Sequence, residues 1–141
     1  MLAPADGDTS RRNDHSCVLQ VRNRHGTILL PADIEAGTEK KLVARFGERL
    51  RSDILVAPHH GSKTSSTPAF IEAVAPRHVL FPVGYRNRYR HPYPEVVERY
   101  RERGIVSHDS PTAGALELRL EDGGPRIAAY RTWHRRYWYA E

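Results

Sequence analysis

Cysteine, lysine and long apolar runs are scarce in these 141 residues, and each scarcity closes off a class of protein. The single Cys17 lies in an apolar strand pattern, so one chain can build neither a disulfide framework nor a cysteine metal centre. Histidine and carboxylate must then supply any metal ligands. No stretch approaches the roughly 20 apolar residues of a membrane helix, and Met1 to Asp8 lacks the charged and apolar regions of a signal peptide. The chain as written reads as soluble. Lysine is confined to Lys40, Lys41 and Lys63, which leaves the net charge of +5 mostly to arginine. Arginine's planar fork suits bidentate contact with phosphate, although a coding bias toward arginine explains the same count. With 39% hydrophobic and 28% charged residues, the chain has the size and balance of one globular domain.

Residues 1–13 are polar, without period, and read as an extended lead-in on which no fold depends. Cys17 to Val21 and Thr27 to Leu30 are apolar runs joined by Arg22-Asn23-Arg24-His25-Gly26, a hairpin that ends at Pro31. His25 there reads as a solvated turn residue. Three helices follow from one repeated stripe: Leu42, Val43, Phe46; then Phe70, Ile71, Val74; then Val96, Val97, Tyr100. Thr38 is placed to cap the first and Gly47 to follow it; Thr67 and Pro68 open the second; Pro94 opens the third, with Gly104 beyond. Strands Asp53 to Ala57, His78 to Val83 and Ile105-Val106 alternate with them, as around a parallel sheet. His78 opens its strand and reads as a packing residue, and His108-Asp109-Ser110 as a turn. Leu116, Leu118 and Leu120 then alternate with Glu117 and Arg119 before a glycine turn, which predicts a closing antiparallel hairpin with one wet face.

Chemistry concentrates where three strands end. Pro58 stops the strand ending at Ala57, and His59-His60-Gly61-Ser62-Lys63-Thr64-Ser65-Ser66 follows it; ligands of α/β sheets bind at such carboxyl ends. Neutral imidazole suits zinc or manganese, while Lys63, Thr64 and Ser65 could hold an anion. Adjacent histidines cannot chelate as an i, i+4 pair, so one of His59 and His60 is expected to ligate and the other to orient it or pack behind it. Asp33 follows the hairpin directly and could ligate a divalent cation, or cap a helix. The third loop, Gly84 to Pro92, interleaves Arg86, Arg88 and Arg90 with Tyr85 and Tyr89 around Asn87 before His91-Pro92. It fits a nucleic-acid surface and equally an ordinary basic loop. The tail, residues 132–141, is basic and aromatic without a core period and could meet nucleic acid, a membrane interface or a neighbouring domain.

Three stretches together carry a family likeness. Asn13-Asp14-His15-Ser16-Cys17-Val18-Leu19 resembles a strand opening "NDxSxVL"; "PHHGSKTSS" is the most specific match; "VGYRNRYRHPYPEV" resembles "VGxxNxxxHPxPEV"; and Asp33 falls where the family has the aspartate of "TGD", with Pro31-Ala32 in place of its first two residues. The chain resembles the C-terminal half of the metallo-β-lactamase-like domain of ComEC-type competence proteins, the DNA-internalisation channels. The resemblance implies an α/β fold: the second half of an αββα sandwich, a hairpin, then strand-helix repeats, then a closing antiparallel hairpin. It spans residues 14–131.

By that resemblance Asp33 would bridge two divalent metal ions, zinc or manganese, and His60 or His59 would ligate one. Asp33, His60 and His91 form the expected catalytic set, with Lys63, Thr64, Ser65, Arg86, Asn87 and Arg88 on the substrate side. The implied reaction is metal-dependent phosphodiester hydrolysis on incoming DNA during transformation, by a nuclease or phosphodiesterase whose full-length form sits in the inner membrane with this domain outside the cytoplasm. The family's H-x-H-x-D-H motif, which supplies most of its metal ligands, is absent from this sequence. The fragment alone is therefore expected to be inactive, with the two metal ions belonging to the complete domain and fewer or none to the fragment. The other reading is a non-catalytic DNA-binding or assembly module of the channel. Half of a two-sheet sandwich should also bare an apolar sheet face, so self-association is expected.

Overall fold

The computed structural model of the chain describes residues 1–3 and 12–134. Most of the basic aromatic tail, from Arg135 onward, lies outside the described residues. The first hairpin pairs β1 (Leu19–Asn23) with β2 (Gly26–Leu30) in antiparallel register, Leu19 opposite Leu30. Three parallel strands extend it, β3 (Ile54–Val56), β4 (His78–Phe81) and β5 (Val106–Asp109), in the order β1-β2-β3-β4-β5. The sheet is mixed and the fold α/β. A second, two-stranded antiparallel sheet joins β6 (Leu116–Glu121) and β7 (Gly124–Ala129).

The connecting helices form where the apolar stripes predict them: α1 (Ala36–Phe46), α2 (Pro68–Val74) and α3 (Pro94–Arg101). Thr67 caps α2 by accepting the Phe70 amide, and proline opens both α2 and α3, where a missing backbone donor costs nothing. Two expectations change. The N-cap of α1 is Glu35, and Thr38 is buried inside the helix, because the chain turns helical as soon as it leaves the Asp33 loop. His108 and Asp109 continue β5 instead of turning, since their backbones pair with Leu80 and Phe81; Asp109 then caps a short helix, α4 (Ser110–Ala113). The beginning of the chain is also not idle. Ala3 is buried and bridges Val18 by backbone hydrogen bonds.

Register assigns the sheet's two faces. Leu29, Leu55, Val79 and Phe81 point to one side and join Leu42, Phe70, Ile71, Val74, Val96 and Tyr100 in a single buried cluster. That is the helix-covered core. Leu19, Val21, Ile28, Leu30, Ile54, Val56, His78, Leu80, Val106 and His108 share the opposite face by register. The β6–β7 hairpin packs on this second face: an added methyl on Gly26 would meet Pro125 at 2.7 Å and Leu120 at 3.1 Å. The cover is partial. Ile54 and Leu80 are buried, whereas Leu19, Val21 and Val106 are 42%, 42% and 51% exposed.

Candidate metal and phosphate site

Two loops at the carboxyl ends of β2 and β3 are stitched together by backbone. The His59 amide donates to the Ala32 carbonyl and the Ala36 amide to the Thr64 carbonyl, both at 2.9 Å. Sharp turning brings them together: Ala32, His59 and His60 all have left-handed backbone, with φ of 53°, 46° and 56°. Such conformations cost a non-glycine residue on the order of 1–3 kcal/mol each and persist only where the surroundings fix them.

The fixing groups lie behind the loop. Ser65, fully buried, donates its hydroxyl to the carbonyl of Pro58 at 2.8 Å, so it holds the loop from inside. Glu39, also fully buried, accepts the amides of Ser66 and Thr67 at 2.5 and 2.8 Å. Burial pushes the Glu39 carboxyl above the usual glutamate range, and hydrogen bonds from Thr67 and Ser66 and the nearby Arg99 pull it back. From α3, Arg99 donates to the carbonyls of Ser65 and Ser66, and Tyr100 donates to the Ser66 hydroxyl at 2.9 Å. Sequence reading missed Glu39, because its partners lie 27 and 28 residues away and nothing local marks it.

In front of the loop, Asp33 Oδ1 lies 3.4 Å from His60 Nε2. The other ring nitrogen of His60, Nδ1, is 2.8 Å from the carbonyl of Pro82. A carbonyl can only accept, so Nδ1 carries the proton and Nε2 turns toward the carboxylate. Two acceptors facing each other repel unless a proton or a cation lies between them. His60 therefore has the disposition of an oriented ligand, its outer nitrogen tied to backbone. His59 turns the other way, Nδ1 being 3.4 Å from the Thr64 hydroxyl and 3.7 Å from Glu35 Oε1. Glu35 is a second site carboxylate that sequence reading passed over, two residues beyond Asp33.

The third loop packs against the second. The His91 ring meets that of His59 edge-on at 5.8 Å, and burial first, with the neighbouring His59 and His60 second, holds His91 below the usual imidazole range while Asp33 opposes this. The Asn87 side chain is spent on the loop itself, accepting the His91 amide at 2.9 Å and donating to the His91 carbonyl at 2.7 Å. Gly61 has φ of 81°, and a methyl there would meet Pro92 at 2.7 Å and Phe81 at 2.9 Å, so the two loops touch through it. The Tyr93 amide also donates to the Gly61 carbonyl. Lys63 stands over the Tyr93 ring at 4.7 Å and pairs with Glu95 at 3.2 Å, half exposed. Arg86 and Arg88 lie over Tyr85 and Tyr89 on the outer surface.

Asp33, His59, His60 and His91 thus cluster where the loops after β2, β3 and β4 meet, with Thr64 beside His59 and Lys63 nearby over Tyr93. Among the described residues no group of three or more histidine, cysteine, aspartate or glutamate side chains converges to hold a metal ion. Asp33 and His60 are the two side chains there whose oxygen and nitrogen could hold a cation between them. No helix among the described residues is long and apolar enough to cross a membrane.

No family model matches the chain. It is similar to the competence protein ComA of Neisseria gonorrhoeae, 36% identical over 137 residues, which are 97% of this chain and 20% of that protein. It is similar to ComE operon protein 3 of Bacillus subtilis, 27% identical over 130 residues, covering 92% of this chain and 17% of the other. Recombination protein 2 of Haemophilus influenzae is 29% identical over 132 residues, 94% of this chain and 16% of its own length. The chain thus spans no more than a fifth of these curated relatives, and its likeness to proteins named for competence and recombination runs along nearly all of it.

Proposed function

We propose that this chain is the second half of a metallo-β-lactamase-type domain that hydrolyses phosphodiesters of incoming DNA in a competence protein. The observation that carries the reading is the Asp33–His60 pair at 3.4 Å, with His60 Nδ1 tied to the Pro82 carbonyl. That tie leaves Nε2 and a carboxylate oxygen aimed at a shared point, which suits a divalent ion, zinc or manganese. When bound, such ions acidify a water and neutralise charge building on the phosphate. Asp33 and His60 would hold the ion, and His59 or His91 would move a proton or steady the leaving oxygen. Lys63 and Thr64 would bind the phosphate's free oxygens. Ser65 and Asn87 act as positioning residues, because their hydrogen bonds run to the loop backbones. The remaining ligands would come from an H-x-H-x-D-H half in the longer protein, which the membrane channel would carry.

The test is nicking of plasmid DNA by the longer protein with manganese or zinc. Asp33→Ala and His60→Ala should each lower the rate at least a hundredfold while leaving the protein folded. Retention of full activity by either variant overturns the reading. The arginines lying over the exposed rings of Tyr85 and Tyr89 favour a second reading, a DNA-binding or assembly module without catalysis. Steeply salt-dependent DNA binding with no metal-dependent cleavage would select it.

A further inference from the structure

The outer side of α1, and of the helical turn Gly47–Leu50 that follows it, is one-sidedly basic. Lys40, Lys41, Arg45, Arg49 and Arg51 are all exposed, and Glu48 is the one acid between Lys40 and Arg51. Lys40, Arg45, Arg49 and Arg51 have no carboxylate partner among the described residues. At α3 and the closing hairpin the opposite holds: Arg101 pairs with Glu98, Arg103 with Glu72, Arg119 with Glu117 and Arg126 with Glu121. Arg45 and Arg49 lie over the Phe46 ring instead, at 5.2 and 5.6 Å. A ring holds a guanidinium without neutralising it and leaves its N–H edge open to an anion. Gln20 fastens the far end, donating its side-chain amide to the carbonyls of Arg49 and Arg51 at 3.0 and 3.3 Å. Like charges set this close on a helix repel one another, and an anionic partner removes that cost.

We infer that this flank is a docking surface for an anionic lipid bilayer, a role independent of the Asp33–His60 site. The charge calls for a polyanion, and the shape of the flank decides which one. The inner side of α1 is sunk into the domain, where Thr38, Glu39 and Leu42 are buried and Leu42 joins the core. Its cations therefore stand along a shallow, straight ridge. A nucleic-acid duplex receives a helix in its major groove, about 12 Å wide, and a helix enclosed on one side by its own domain cannot enter. Outside the groove, the duplex turns its phosphates away from a straight ridge after a few contacts. A bilayer offers a plane of charge that meets the ridge along its whole length. Lysine and arginine stems also lie well against a headgroup layer, with the charged ends reaching the phosphates.

Co-sedimentation of this chain with vesicles tests the surface directly, using phosphatidylglycerol mixed with phosphatidylcholine against phosphatidylcholine alone, at low salt. Wild type should pellet with the anionic vesicles and stay in solution with the neutral ones. Lys40→Gln, Arg45→Gln and Arg49→Gln should each weaken vesicle binding about fivefold, the scale of one basic side chain at an anionic leaflet. The triple variant should lose binding. Arg101→Gln and Arg119→Gln take the same charge from paired positions and should bind as wild type does. All five positions are exposed, and an unchanged melting temperature certifies each variant. The inference is overturned if wild type ignores anionic vesicles, or if the paired-position variants lose as much as the flank variants. It is also overturned if the flank variants keep vesicle binding and lose only binding to a DNA duplex, read by fluorescence anisotropy.

Discussion

The two faces of the five-stranded sheet are built from the same kinds of residue and end in different states. On the helix side Leu29, Leu55, Val79 and Phe81 are closed over by three amphipathic helices and almost no area is left open. On the other side a single hairpin covers Ile54 and Leu80 and leaves Leu19, Val21 and Val106 at the margins. Apolar periodicity thus shows only that a strand wants both sides covered. Which side the chain itself covers depends on how many amphipathic elements it has left to spend.

Substitutions on the two faces should separate sharply. Phe70→Ala, in the closed core, should cost about 3–5 kcal/mol in denaturant unfolding, since the helices that surround it cannot collapse into the space. Glu39→Ala comes next, at about 1–3 kcal/mol for the buried Ser66 amide it orphans and less for the half-buried Thr67 amide. The same variant should also loosen the His59–His60 loop, read as faster amide exchange at Ser66 and Thr67. Gly61→Ala should cost on the order of 1–3 kcal/mol, because the methyl runs into Pro92 and Phe81 and the backbone is left-handed there.

The second face holds a gentler, pH-dependent term. His78 Nδ1 lies 3.2 Å from His108 Nε2, a pairing that sequence reading missed when it assigned His78 to packing and His108 to a turn. Burial first, and the neighbouring His78 second, hold His108 below its ordinary value of 6.5, with Asp109 opposing. The unfolded chain then binds more protons than the folded one on the acid side of that value, so this contribution to stability should grow as pH rises toward it. Melting temperature measured from about pH 5 to about pH 7 should climb, and His108→Gln should flatten part of the climb. Smallest of all in stability, Val21→Lys and Val106→Lys should stay within about 0.5 kcal/mol of wild type. Their effect should appear in sedimentation instead: wild type should associate through the open margin of this face and the lysine variants should remain monomers. A monomeric wild type would mean that the hairpin's partial cover suffices.

What was legible in the sequence was whatever repeats locally. The stripes of Leu42, Phe70 and Val96, the proline at each helix start and the alternation of Leu116 to Leu120 all lie within one turn or one strand of their cause. Asp33 and His60 could be brought together because both sit directly after strands that neighbour each other. Glu35 beside His59, Glu39 under Ser66 and His78 against His108 depend on partners 24 to 30 residues away, which no local pattern encodes. Ser65 has a related cause: a hydroxyl has the same appearance in a sequence whether it faces solvent or binds a buried carbonyl.

The paired loops run in opposite senses, Asp33 to His60 and Glu35 to His59, with Ala32 hydrogen-bonded to His59 between them. They mesh like the teeth of a ratchet. Inserting a single residue between Pro31 and Asp33, whatever its chemistry, would move both carboxylates out of step with both imidazoles at once. The spacing of this short segment is therefore under tighter constraint than the identity of most side chains in it.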